Sequence, residues 1–310
     1  MTKWHIANNG IAFVNILNVN NKCSFMTLND KLNTISTLIQ TYYPSLQSQG
    51  TGFFYQVFGE EIKAKDGKGA WKEIKELWLI TNKHVVCNQD EAGNLILPDR
   101  LVFNLRKTDG NNIKWHPISL SQTDLKKRVK VHSNPIVDIA AISILDLVTE
   151  AINEKSNNIV GYSAVSEENL PGKNMIDVEV CDDIITIGYP KGFYDTLNLY
   201  PIVKSGIIAS RWGANFNGNP YILIDSKLFP GSSGSLVISK PINQLIAKNK
   251  IYTSDEKQFA FIGVYSGEPF KKSSPIEFDD FTIIRKDGFN LGVVWYSYLV
   301  PEIINTGITL

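Results

Sequence analysis

The stretch Phe229-Pro230-Gly231-Ser232-Ser233-Gly234-Ser235-Leu236-Val237 joins a glycine-rich turn to the start of an apolar strand. Pro230 and Gly231 favour a turn, whereas Leu236 and Val237 open a run typical of a buried strand. A serine between two glycines at the start of a strand can present its hydroxyl beside backbone N–H groups. The stretch therefore predicts a nucleophile turn, although the same composition also occurs in ordinary loops.

A serine hydroxyl is a weak nucleophile unless a base takes its proton and donors wait for the negative charge that develops. In this turn the amides of Gly231 and Ser233 are the candidate donors to such an oxyanion. The nucleophile therefore requires a base, and a group that orients the base, from elsewhere in the chain.

Composition limits the class of protein. The 310 residues suffice for a substantial core and two packed lobes. Lysine plus arginine and aspartate plus glutamate both number 31, which gives no reason to expect nucleic acid or an anionic membrane as a partner. Cys23, Cys87 and Cys181 are sparse and lie far apart, which favours a reducing compartment over a disulfide framework. With no signal peptide or membrane-spanning run expected, the sequence predicts a cytoplasmic protein.

Short apolar segments broken by turn residues dominate the chain from residue 50 onward. They lie at 50–58, 77–81, 100–105, 114–119, 139–145, 175–180, 184–189, 202–210, 221–225, 236–239, 259–265 and 281–284. This spacing predicts an all-β barrel or sandwich and not a βαβ repeat. The polar stretch 150–174 is the candidate connection between two β lobes.

Two helices are predicted outside these strands. Apolar residues three and four positions apart, with Asn29 or Asp30 as N-cap and Pro44 as a stop, predict a helix over 29–43. Similar spacing over 293–304 predicts a closing helix, in which Pro301 must lie at a kink or a boundary.

The candidate base is His84, which follows the buried strand Leu79-Ile80-Thr81 and begins a short turn. Strand ends can aim a side chain into a cleft while the backbone stays fixed. The other histidines fit the role less well. His5 lies near the terminus, His116 lies within a predicted strand, and His132 precedes a polar turn.

The candidate orienting group is Asp138, which stands in the apolar run Pro135-Ile136-Val137-Asp138-Ile139-Ala140-Ala141. A carboxylate in such surroundings is costly unless a partner donates to it. The alternative is a turn residue that bonds its own backbone. Three other aspartates lie in polar company next to strands and resemble caps, namely Asp146, Asp182 and Asp183.

Four motifs in this order resemble those of the trypsin-like serine peptidases. They are Gly50-Thr51-Gly52-Phe53, Leu79-Ile80-Thr81-Asn82-Lys83-His84-Val85-Val86, Val137-Asp138-Ile139-Ala140-Ala141-Ile142 and Pro230-Gly231-Ser232-Ser233-Gly234-Ser235-Leu236-Val237. The chain order His, Asp, Ser is that of the chymotrypsin type. The segments 185–190, 204–209 and 261–267 also resemble the HtrA/Deg-type bacterial branch. The resemblance extends over residues 48 to 300.

The resemblance implies two antiparallel β-barrels with the active site between them. We expect an N-terminal extension over 1–47, a first barrel over 48–165, and a second barrel with the closing helix over 166–310. It further implies that Ser233 is the nucleophile, His84 the general base and acid, and Asp138 the orienting carboxylate. The motif register assigns the nucleophile to Ser233, not to Ser232 or Ser235, and Gly231 and Ser233 supply the oxyanion hole.

The resemblance also suggests how substrate is bound. Ser266 and Gly267 would lie on the strand that pairs with substrate backbone. Lys227 stands six positions before the nucleophile, where the family often lines its primary pocket, and would favour an acidic side chain unless Asp225 neutralises it. No cofactor or metal is implied.

This sequence departs from the family pattern in several places. Ser235-Leu236 replaces the common glycine-proline pair, no PDZ-like module is expected after Gly267, and residues 1–47 have no recognised counterpart.

Two functions remain open at this point. The first is a serine endopeptidase that acts on protein or peptide substrates through an acyl-enzyme. The second is a protease-like sensor or binding module, inactive until a regulatory protein partner orders the oxyanion loop. A plain esterase is less favoured, because nothing suggests a lipid-like groove.

Overall fold

The computed structural model describes residues 27–63, 70–90, 92–110, 112–154, 157–190, 193–247, 250–272 and 286–310, with the dipeptides 5–6, 12–13, 276–277 and 282–283. The helices in these parts are α1 (Leu28–Thr34), α2 (Lys83–Val86), α3 (Gln122–Arg128), α4 (Leu145–Asn153) and α5 (Leu299–Thr306), with a 3-10 turn at Glu167–Asn169.

The strands of the first half are β1 (His5–Ile6), β2 (Ala12–Phe13), β3 (Ser36–Tyr42), β4 (Gln47–Lys63), β5 (Ala70–Thr81), β6 (Asn88–Gln89), β7 (Leu95–Ile96), β8 (Arg100–Asp109), β9 (Asn112–Ser121), β10 (Val129–Val131), β11 (Ala140–Ser143) and β12 (Val165–Ser166). Those of the second half are β13 (Asp183–Gly188), β14 (Ile202–Ile208), β15 (Tyr221–Asp225), β16 (Leu236–Ser239), β17 (Ile242–Ala247), β18 (Lys250–Gln258), β19 (Phe261–Gly267), β20 (Phe270–Lys272), β21 (Ile276–Glu277), β22 (Thr282–Ile283), β23 (Lys286–Gly288), β24 (Leu291–Tyr296) and β25 (Ile308–Thr309).

The first lobe is a nine-stranded sheet in the order β25-β10-β11-β5-β4-β3-β8-β9, to which β12 adds by parallel pairing with β4. Its central strands are buried on both faces, which explains their unbroken apolar runs. Along β5, Leu77 and Leu79 face one core, whereas Trp78 and Ile80 face the other. This period-2 alternation lets one strand hold the first lobe together and also pack towards the second.

The second lobe is a closed barrel in the order β13-β14-β15-β24-β19-β16. Closure removes the free strand edges that an open sheet would leave. Its strands bury a continuous core in which Ile187, Leu236 and Val264 are fully buried. The chain is thus all-β with two lobes and flanking helices, and the expected chymotrypsin-like double-barrel class is confirmed.

The helix expected over 29–43 is wrong in its second half. Helix α1 begins with a capping box in which Thr27 and Asp30 bond each other's backbone, and it ends at Thr34. Residues 36–42 form β3, which pairs with β4 on one side and with β8 on the other. The apolar residues of β3, Leu38, Ile39 and Tyr42, are too few to separate strand alternation from helical spacing, and the tertiary pairing decides between the two.

The C-terminus also differs from expectation. The predicted closing helix is α5, but it begins only at Leu299, because residues 291–296 form β24. Pro301 lies in the first turn of α5, where its missing N–H costs no hydrogen bond. After the helix, β25 pairs with β10, so the last residues join the first sheet, and the second barrel does not extend to residue 310 as expected.

Candidate active site

His84 is held at the end of β5 by the short helix α2. The two residues that follow it, Val85 and Val86, are buried and anchor the helix in the first core. The His84 side chain stays 51% exposed at the surface of the first lobe. The strand end therefore fixes the backbone while the imidazole faces outward.

Asp138 lies between the buried residues Val137 and Ile139, and its side chain is only 18% exposed. Its carboxylate Oδ1 accepts the backbone N–H of His84 at 2.9 Å, and Oδ2 lies 2.6 Å from Nδ1 of the same residue. An ionised carboxylate accepts only, so Nδ1 carries the proton and Nε2 keeps its lone pair. Asn82 fixes the other side of Asp138, because its Nδ2 donates to the Asp138 carbonyl at 2.7 Å.

Ser233 lies in the turn predicted from the sequence. Gly231 and Gly234 have φ angles of +90° and +85°, in the left-handed region that favours glycine. At Gly234 a Cβ would also lie 2.1 Å from the Thr51 carbonyl oxygen. This turn therefore requires glycine at 234 for both its conformation and its close approach to the first lobe.

The amides of the turn divide into two groups. Those of Ser232, Gly234 and Ser235 donate to backbone carbonyls at 2.8–3.0 Å. Within the described residues, no protein acceptor takes the N–H of Gly231 or Ser233. These two are the donors that the sequence proposes for the oxyanion hole.

Ser266, at the end of β19, links the two halves of the site. Its Oγ donates to Asp138 Oδ2 at 2.6 Å, and its carbonyl accepts from Ser233 Oγ at 2.9 Å. The structure thus brings His84 and Ser266 each into contact with the Asp138 carboxylate, and Ser233 into contact with Ser266. In the part of the chain described, no hydrogen bond joins Ser233 to His84.

The sequence did not reveal the contact between the Ser266 hydroxyl and Asp138. The sequence predicts for Ser266 only a place on the strand that pairs with substrate. In the structure Ser266 and Gly267 are the last two residues of β19. Ser266 and Asp138 are far apart in the chain and come from different lobes. No local signal in the sequence could have identified the pair.

Lys227 and Asp225 are both exposed, and among the residues described no carboxylate ion-pairs with the Lys227 ammonium. The Lys227 carbonyl accepts a hydrogen bond from Lys204 Nζ. The Lys204 ammonium also lies 5.0 Å from the centroid of the Phe229 ring. Lys204 therefore adds to this region a second cation that no sequence motif indicates.

The alternative residues are occupied elsewhere. His132 lies 3.2 Å from a carboxylate oxygen of Glu302, and burial lowers the pKa of His116, while His5 lies in β1. Among the aspartates, Asp146 pairs with Arg128, Asp182 accepts from the Glu179 backbone and Asp183 pairs with Lys240. Ser232 and Ser235 are buried.

A cysteine, Cys87, directly follows the helix α2 that carries His84, but it is not poised as a nucleophile. Burial raises the pKa of Cys87 to about 11, with Lys83 opposing the shift, so its thiol is protonated at neutral pH. The described residues contain no group of three or more His, Cys, Asp or Glu side chains that could hold a metal ion. Nor does any helix in the described parts have the length and apolar character needed to cross a bilayer.

Among solved structures, the chain is similar to several proteases, three of which follow. It is 14% identical to the active form of the Rv3671c protease from M. tuberculosis, with a TM-score of 0.43, covering 91% of this chain and 84% of that chain. For the serine endoprotease from Yersinia pestis the identity is 13% and the TM-score 0.39, covering 91% and 67%. For tobacco etch virus protease complexed with product, the identity is 8% and the TM-score 0.44, and the match covers 93% of this chain and 85% of that chain.

No curated protein matches the sequence at a significant level. A family model described as the trypsin-like peptidase domain matches residues 50–247, which is more than half of the 310-residue chain. The matched span contains His84, Asp138 and Ser233. The chain therefore belongs to the trypsin-like peptidase domain family and is a hydrolase of the serine protease class.

Proposed function

We propose that the protein is a serine endopeptidase in which Ser233, His84 and Asp138 form the catalytic triad. The observation that carries this proposal is the environment of the Asp138 carboxylate. It accepts from the His84 backbone, from His84 Nδ1 and from the Ser266 hydroxyl at 2.9, 2.6 and 2.6 Å. A carboxylate held in this way fixes the imidazole tautomer whose Nε2 can act as a base.

In the first step, Ser233 Oγ attacks the carbonyl carbon of the scissile peptide while His84 Nε2 takes its proton. The Ser233 hydroxyl must first leave the Ser266 carbonyl, to which it donates at 2.9 Å. Asp138 then stabilises the imidazolium by charge, and the amides of Gly231 and Ser233 donate to the oxyanion.

Collapse of this tetrahedral species breaks the C–N bond, and His84 delivers its proton to the departing amine. An ester between the substrate carbonyl and Ser233 remains as the acyl-enzyme. Water then attacks the ester, with His84 again as base, and releases the acid while Ser233 regains its proton. All groups that move protons in this scheme belong to the chain itself.

Substrate recognition follows from the same arrangement. We propose that Ser266 and Gly267 pair with substrate backbone and that Lys227 favours an acidic side chain next to the scissile bond. Exposure of Lys227 and the second cation on Lys204 support an electropositive region in front of Phe229. The substrates are proteins or peptides, as the family implies.

We also propose membership of the HtrA/Deg-type branch, a cytoplasmic location and the three-part division of the chain, except that β3 and β25 belong to the first sheet. The motifs at 185–190, 204–209 and 261–267 support the branch. The described cysteines, Cys87 and Cys181, are free thiols, which supports a reducing compartment.

One observation favours the second function. The Ser233 hydroxyl donates to Ser266 and not to His84, which is the arrangement expected of a site that awaits activation. In that case the protein is a sensor or binding module, and a regulatory protein partner reorders the turn before any hydrolysis takes place.

Labelling with a fluorophosphonate probe separates the two functions. The probe phosphonylates a serine only where the base and the oxyanion donors are assembled. Labelling of the wild-type protein, lost in Ser233→Ala, supports the endopeptidase. Labelling retained in Ser233→Ala refutes the assignment of the nucleophile, and an unlabelled wild-type protein favours the module that awaits a partner.

A further inference from the structure

Thr51 of β4 makes two contacts with the turn that carries Ser233. Its N–H donates to the Ser233 carbonyl at 2.9 Å, and its hydroxyl donates to the Gly231 carbonyl at 3.0 Å. Thr51 is fully buried and belongs to the first lobe, whereas the turn belongs to the second. The two carbonyls that it holds lie on either side of Ser232.

The hydroxyl of Thr51 is also fixed from its other side. It accepts the backbone N–H of Tyr189 at 2.8 Å, so the donor and an acceptor position of this hydroxyl are both in use. Tyr189 is in turn held by the buried guanidinium of Arg106, which donates to the tyrosine hydroxyl, and that hydroxyl donates to the Leu199 carbonyl at 3.1 Å. The orientation of the Thr51 hydroxyl is therefore fixed by the bond that it donates and the bond that it accepts.

The backbone around Thr51 leaves no space for the turn to shift towards it. A Cβ at Gly234 would lie 2.1 Å from the Thr51 carbonyl oxygen, and a Cβ at Gly188 would lie 3.0 Å from the Thr51 hydroxyl. Two second-lobe segments thus approach this one residue closely. Close packing and hydrogen bonds at Thr51 therefore both restrict the position of the turn that carries Ser233.

We propose that the Thr51 side chain is a positioning residue for the oxyanion hole, an inference that rests on the proposed peptidase function. Its hydroxyl fixes the 231–232 peptide plane through the Gly231 carbonyl, and its N–H fixes the 233–234 plane. The Ser233 N–H lies in the peptide between these two planes, and the Gly231 N–H lies in the peptide before the first, related to it by the φ and ψ of Gly231 alone. Fixing both carbonyls therefore aims both amides.

This role predicts a specific kinetic signature. The oxyanion exists only in the transition state and the tetrahedral intermediate, so misdirected donors lower kcat and leave KM nearly unchanged. Removal of one oxyanion donor costs roughly 10²–10³ in kcat, and small misplacements cost about 10². We expect a loss of about 10² when the Thr51 hydroxyl is removed.

The test compares Thr51→Val with Thr51→Ser. Valine keeps the shape and removes the hydroxyl, whereas serine keeps the hydroxyl that bonds Gly231 and Tyr189. A matched control is Thr37→Val. Thr37 is also fully buried, in β3 of the same sheet, and its hydroxyl donates to the Asn104 carbonyl at 2.6 Å and accepts the Asn104 N–H at 3.1 Å.

The first readout is the rate of fluorophosphonate labelling, with kcat and KM for any peptide substrate found. Thr51→Val should label about 10²-fold more slowly than wild type, whereas Thr51→Ser and Thr37→Val should stay within a few-fold of it. Both valine variants should lose a similar amount of thermal stability, because each loses two buried hydrogen bonds. If a folded Thr51→Val protein labels at the same rate as the wild-type protein, the proposal is overturned.

The second readout is amide hydrogen exchange in Ser233→Ala protein, which does not depend on activity. The added Thr51→Val substitution should speed exchange of residues 229–235 about tenfold, and Thr51→Ser or Thr37→Val should not. If the wild-type protein fails to label, the proposed function fails, and this exchange result alone decides whether Thr51 orders the turn. Equal exchange in all three variants overturns the inference.

Discussion

The Ser266 hydroxyl donates to Asp138 Oδ2 at 2.6 Å, so a residue of the second barrel completes the surroundings of a carboxylate from the first lobe. The same carboxylate oxygen lies 2.6 Å from His84 Nδ1. Docking of the two lobes and orientation of the imidazole therefore depend on each other.

Ser266→Ala should lower kcat/KM about tenfold, because a hydrogen bond to a charged group contributes about 1.5 kcal/mol or more. The backbone carbonyl that accepts from Ser233 is unaffected by the change. Ser239→Ala is the control, since the Ser239 hydroxyl accepts from Ala260 N–H at 2.8 Å within the same barrel and away from Asp138. Unchanged kcat/KM in a folded Ser266→Ala protein would contradict the role given to this contact.

Asp138→Asn should lower kcat by about 10⁴-fold, as the same change does in a known serine protease triad. The side-chain amide of asparagine can donate a hydrogen bond to His84 Nδ1. The imidazole then carries its proton on Nε2, and Nε2 can no longer act as the base. Asp146→Asn provides the matched change at an exposed carboxylate that pairs with Arg128 at 2.6 Å. Steady-state kinetics on both variants should show a loss in the first only.

Gly234→Ala should destabilise the fold and abolish labelling. The residue has φ +85°, which costs about 1–3 kcal/mol for a side chain other than glycine, and its Cβ would also clash with the Thr51 carbonyl oxygen. Gly213→Ala isolates the first effect, because φ is +75° there and no atom lies within 4 Å of its Cβ. Denaturant unfolding should show the larger loss at Gly234, and equal losses would mean that the close approach is relaxed.

Lys227→Glu should reverse a preference for acidic over neutral residues before the scissile bond. The side chain is exposed, so its charge is screened and the preference should be about fivefold. A peptide library that varies this position measures it, with Lys240→Glu as the control for a surface charge paired to Asp183. A wild-type profile without acidic preference would remove Lys227 from the pocket.

Alkylation should leave Cys87 intact at pH 8 while the protein is folded. Its pKa is raised to about 11 because burial disfavours the charged thiolate, so only about one thiol in a thousand is ionised at that pH. Reactivity should rise about tenfold per pH unit up to the pKa. Exposed Cys181 should be modified first, without loss of activity, as peptide mass spectrometry can follow. Fast modification of Cys87 with matching inactivation would point to a cysteine nucleophile instead.

Sequence and structure disagree where long-range pairing overrides local pattern. The apolar spacing over 29–43 fits a helix, yet residues 36–42 become β3 because β4 and β8 supply hydrogen bonds on both of its edges. The last residues likewise leave the second barrel to pair with β10. The partners β8 and β10 lie far away in the chain from β3 and β25, and local periodicity carries no information about them.

The sequence by itself determined the all-β class, the nucleophile turn and the order of its candidate residues, because turn chemistry, strand alternation and a carboxylate in an apolar run are local properties. Only the tertiary structure decided what meets at the site. It placed Ser266 on Asp138 and Thr51 under the Gly231 and Ser233 carbonyls, from opposite lobes. Such contacts follow from how two lobes dock, and docking depends on the summed packing of both cores.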